Sequence, residues 1–60
     1  MTDKQKQLIE KIKAQLEIEV NNSDTEVAHS NADELLCELL EGLGLSDVVE
    51  IYNRIGKWYA

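Results

Sequence analysis

Apolar positions along the first third of the chain recur at helical spacing. Gln5, Leu8, Ile9, Ile12, Leu16 and Val20 fall on one face at about 100° per residue. Thr2-x-x-Gln5 ahead of them has the form of a capping box, so the pattern predicts a first helix over 3–20. Its tail reads two ways, because Ile12, Ala14, Leu16, Ile18 and Val20 also alternate with polar residues as a half-buried strand does. A lone strand in so short a chain has no partner unless a second copy supplies one, and helix is therefore the expectation.

Asn21-Asn22-Ser23-Asp24 is a turn cluster, and Ser23-x-x-Glu26 reads as a second capping box opening a helix over 24–42. Ala28, Ala32, Leu35, Leu36, Leu39, Leu40 and Leu43 form its apolar stripe, with Leu36 and Leu39 expected to face inward. The stripe ends at Gly42-Leu43-Gly44, a C-cap signal. It covers about 140° of the helix circumference, more than one narrow seam requires, so the helix is expected to contact two neighbours. Ser30-Asn31-Ala32-Asp33 offers an alternative cap for a shorter second helix. Ser46 as N-cap and Asp47 in the first turn predict a third helix over 46–58, with Val48, Ile51, Tyr52, Ile55 and Tyr59 on its inner face. Residues 1–60 thus read as one small all-α domain, a helical hairpin plus a short C-terminal helix.

A chain of 60 residues buries only about 60% of the surface its unfolded form exposes, and its stability is correspondingly marginal. Disulfides, metals and oligomerisation are the usual supports. The single Cys37 excludes an internal disulfide, and no zinc-type ligand spacing appears, so a homo-oligomer is the expectation. No apolar run approaches the roughly 18 residues of a membrane span, and the N-terminus does not lead into a signal-peptide apolar region. The expected setting is soluble, cytoplasmic and reducing.

Charge is blocked along the chain. Ten acidic residues lie between Glu17 and Glu50 with no Lys or Arg among them, within a formal net charge of −6. That balance opposes binding to a phosphate backbone. Glu34, Glu38 and Glu41 share the outer face of the second helix, which makes them either a solvated surface or a docking face for a basic protein. His29 and Asp33, at i,i+4, are expected to hydrogen-bond at the edge of the stripe or to contact a ligand. Cys37, the next residue in that spacing, points elsewhere, so no metal site is expected. Set among Glu34, Glu38 and Glu41 rather than beside a cation, Cys37 is expected not as a nucleophile but as a small packing residue at a contact between subunits, beside Leu40. Lys57-Trp58-Tyr59 places a cation beside two aromatic rings and could stack on a base, close the core or anchor an oligomer. No triad, Gly-rich phosphate loop or nucleophile elbow is present; no catalytic residue or cofactor is nominated, and an enzyme is not expected.

The segment His29-Ser30-Asn31-Ala32-Asp33-Glu34-Leu35-Leu36-Cys37, then Leu43-Gly44, Val48-Val49, Tyr52 and Lys57-Trp58-Tyr59-Ala60, resembles a pattern in small proteins of prophages and other bacterial mobile elements. The resemblance covers about the last 34 residues and implies a context, an accessory protein acting on host machinery or host defence, without implying an activity. It makes His29, Asp33, Lys57, Trp58 and Tyr59 the candidate functional positions. Two classes follow. The first is a non-enzymatic interaction protein that self-associates and binds a host protein through its acidic face. The second is a nucleotide-binding or sequestering protein with a pocket at subunit boundaries, built from His29 and the terminal aromatics. Net charge favours the first, because −6 repels phosphate unless cations gather across a boundary.

Overall fold

The computed structural model describes residues 1–56. Three helices follow in order, α1 (Asp3–Val20), α2 (Thr25–Gly42) and α3 (Ser46–Asn53), and the described residues contain no strand. The third helix stops at Asn53, short of the expected 58, since Arg54 caps it and Ile55 and Gly56 lie beyond its end, while Lys57, Trp58 and Tyr59 lie outside the described residues.

Local chemistry explains each boundary. Thr2 and Gln5 complete the capping box, the Thr2 hydroxyl accepting from the Gln5 N–H at 3.1 Å and the Gln5 side chain accepting from the Thr2 N–H at 3.0 Å. α1 then continues through Val20, so the alternation over its last turn is helical after all. The cap of α2 falls one residue later than Ser23. Asn22 Oδ1 accepts the Asp24 N–H at 2.9 Å and closes an Asx-type turn, which frees the Asp24 carboxylate to accept from the Val27 N–H at 3.1 Å. Because α2 runs unbroken through Ser30 and Asp33, the shorter helix is not formed.

α2 ends in a Schellman motif. Gly44 takes φ 81°, its N–H reaches the Glu41 carbonyl at 3.0 Å, and the Leu45 N–H reaches back to the Leu40 carbonyl at 2.9 Å. The turn is so tight that Leu45 itself becomes the N-cap of α3. Ser46 is already helical, and α3 begins without a side-chain cap.

The helices lie side by side in one layer. α2 packs against α1 on one flank and α3 on the other, and α1 and α3 do not meet. The Cα atoms span 36 × 28 × 7 Å. A helix backbone is itself about 4.6 Å across and packed helices sit about 8–10 Å apart, so the 7 Å dimension holds no second layer. The radius of gyration of 12.5 Å exceeds the roughly 10 Å of a compact chain of this length.

A single layer buries little. Ile12, at 1% exposure in the α1–α2 seam, and Val49, between α2 and α3, are the buried apolar side chains of the described residues. Gly42 lets Leu8 of α1 come close, since a Cβ there would overlap the Leu8 side chain. Two inward assignments are overturned. Leu36 is 47% exposed while Leu39 is half-buried, because neighbours cover the flanks of α2 and leave the crest of its stripe open. On α3, Val49 and Tyr52 turn to α2 while Val48 and Ile51 are exposed, as is Ile55 beyond the helix end. α3 has one neighbour, so only a narrow stripe of it is covered.

Candidate functional site

The layer has two faces of different chemistry, and the helical phase sorts the residues onto them. At the α1–α2 seam, one face carries an open groove lined by Leu16, Val20, Ala28, His29 and Ala32, with Glu19 at its floor. The groove on the opposite face is lined by Gln15, Ile18, Asn31, Glu34, Leu35 and Glu38, again with Glu19. Leu36 and Leu43 project on the first side of α2, and Glu34, Glu38 and Glu41 form a ridge on the second, as 100° steps require.

α3 extends this division. It runs antiparallel to α2, with Leu45 bonded to Leu40 at one end and Tyr52 to Asp33 at the other. Given that Val49 and Tyr52 face α2, the right-handed sense of the helix places Val48 and Ile51 on the apolar side and Glu50 on the acidic side. The result is a slab with an aliphatic face and a carboxylate-rich face.

The sequence-predicted site residues separate. Asp33 is half-buried on the α3 flank of α2 and accepts from the Tyr52 hydroxyl at 2.8 Å, tying the two helices together. His29 is exposed, and its Nδ1 donates to the Thr25 carbonyl one turn back at 2.9 Å. The expected His29–Asp33 pairing is therefore replaced by two different partners, because Asp33 turns to α3 and His29 to the apolar groove. Lys57, Trp58 and Tyr59 are outside the described residues. Cys37 is a half-buried free thiol one turn on from Asp33, on the same flank.

On the acidic face, Lys11 of α1 reaches Glu38 at 3.0 Å, with both side chains about half exposed. This pair contributes less than about 1 kcal/mol in water but neutralises one carboxylate of the ridge. Glu34 and Glu41 remain exposed on either side of it. Among the described residues, no group of three or more His, Cys, Asp or Glu is placed to hold a metal ion. No helix among them is long and apolar enough to cross a membrane.

Residues missed by sequence reading are Glu19, Asn22 and Asn31. Glu19 Oε1 accepts from Asn22 Nδ2 at 3.1 Å and from Asn31 Nδ2 at 3.2 Å, pinning the α1–α2 turn to the side of α2. The available signal was weak: an Asn inside a predicted helix, where its propensity is poor, needs a partner elsewhere.

Compared with known proteins, the chain matches no family model, no curated protein and no solved structure.

Proposed function

We propose that this chain is a non-enzymatic interaction protein that self-associates and presents its carboxylate ridge to a basic protein partner, in keeping with an accessory role toward a host protein in a prophage or mobile element. One observation carries the reading: a single layer of helices sorted into an aliphatic face and an acidic face. Domains are ordinarily two packed layers around one core, and an uncovered aliphatic face is energetically unfavourable in water. Glu34 and Glu41 need no second copy to be accessible, so self-association and partner capture make separate demands on separate sides. Catalysis lacks support, because the candidate groups His29 and Asp33 are turned toward different neighbours.

The test has two parts. Sedimentation equilibrium at micromolar concentration reads self-association, and a dimer or larger species is expected. Titration with a lysine-rich peptide, with and without Glu34→Gln and Glu41→Gln together, reads the acidic face. The double variant should weaken binding while helicity stays unchanged. A peptide that binds both proteins equally, or neither, removes the acidic-face assignment.

The nucleotide reading retains one supporting observation, the exposed ring of His29 beside the groove formed by Leu16, Val20, Ala28 and Ala32. Adenosine and guanosine nucleotides titrated against Trp58 fluorescence test it, with quenching on binding as the sign.

A further inference from the structure

We infer that the aliphatic face of the slab is the seat of a second copy of this chain, the two layers stacking face to face so that Leu36, Val48 and Ile51 are buried between them and the carboxylate ridges point outward on both sides. The inference rests on the self-association reading and specifies the surface that performs it.

The first argument is area. The chain exposes 4729 Å², whereas a compact monomer of its 6.8 kDa mass exposes about 4000 Å². The excess, roughly 700 Å², approaches the roughly 800 Å² that each partner contributes to an interface of standard size. A single layer leaves both of its flat faces open, so a partner laid on one of them buries area of this order.

The second argument is which face. Leu36 at 47% exposure, Val48 at 45% and Ile51 at 59% share the aliphatic side of α2 and α3 by helical phase. Leu16 and Ala32 continue the surface toward α1, and the small side chains of Ala28 and Ala32 leave a notch beside them that a partner's aliphatic side chain can enter. The other face also exposes apolar groups, Ile18 and Val27, but Ile18 shares its groove with Glu34 and Glu38, and Val27 lies on the α2 face that carries the ridge. Pairing two copies there would bring both ridges together, and like charges placed against one another oppose association. Stacking by the aliphatic faces puts the full thickness of two layers between the ridges. It also supplies the second layer of helices that a stable helical domain requires.

Sedimentation equilibrium of three proteins tests the inference: the wild type, Leu36→Glu with Ile51→Glu, and Ile18→Glu with Val27→Glu. Burying an unpaired carboxylate in an aliphatic interface is costly, so the first pair should weaken association by roughly 100-fold or more, and the second by no more than about 3-fold. The reverse pattern, or equal association by all three, overturns the face assignment and leaves self-association standing. A wild type that is monomeric throughout removes both. If Leu36→Glu with Ile51→Glu loses helicity, thiol alkylation decides instead. In Cys37→Ser protein, Ile51→Cys should react roughly tenfold more slowly at associating than at dissociating concentration, as expected of a site shielded by mass action, and Val27→Cys should react at one rate in both. An Ile51→Cys rate that does not depend on concentration sinks the proposal.

Discussion

Gly44 holds the sharpest constraint of any single residue. Its φ of 81° lies in the left-handed region, and the Schellman bonds to Glu41 and Leu40 depend on it. A Cβ there meets no neighbour, so the cost of substitution is conformational rather than steric. Gly44→Ala should destabilise the protein by about 1–2 kcal/mol, read as a lower midpoint in urea without a change of slope. Tyr52→Phe removes the hydroxyl that Asp33 accepts while keeping the ring, and should lower stability by about 1 kcal/mol by the same measurement. Residue-level signals were legible where one local arrangement dominated, as at Thr2 and Gln5 or at Gly44. They misplaced the caps of α2 and α3 by one residue because Asn22, Ser23 and Asp24 are all competent caps, and Leu45 holds its position only through the turn before it.

Helices as units are joined by unequal seams. The α1–α2 seam combines buried Ile12, the close approach of Leu8 to Gly42, the Lys11–Glu38 pair and the Glu19 clasp, whereas α3 rests on Val49 and the Tyr52–Asp33 bond. Hydrogen exchange should therefore find α3 opening at lower free energy than the facing turns of α1 and α2. Ile12→Ala, which empties the centre of the stronger seam, should cost about 2–5 kcal/mol and leave little helical signal by circular dichroism. Leu36→Ala, at an open position, should cost an isolated subunit far less. Helix number and approximate span were legible because each segment's apolar spacing is strongly periodic. The inward phase of α3 was not, since Val48, Ile51 and Ile55 make as good a stripe as Val49 and Tyr52, and periodicity alone does not say which stripe meets α2 and which meets another chain.

At the scale of the whole molecule, the wide stripe of α2 does what its width implied and borders two neighbours, yet the crest between them remains open. A one-layer arrangement is not written in the pattern of apolar residues, because the same pattern serves a closed three-helix bundle equally well. What separates the two is the length of the connections and the size of the core, and here short turns and an eight-residue α3 leave the faces uncovered. If the aliphatic face is covered by a second copy, folding and association are linked, and stability depends on protein concentration. A tenfold rise in concentration should then favour the associated state by about 1.4 kcal/mol per dimer, which for a chain of this size raises the melting temperature by several degrees. Added salt should raise it further, because the ten carboxylates between Glu17 and Glu50 repel one another and screening reduces that cost. Thermal scans across a hundredfold range of concentration, at low and at moderate ionic strength, measure both effects on one sample. A melting temperature fixed against concentration would mean that the open slab is stable alone, and that its aliphatic face contributes nothing to holding the fold.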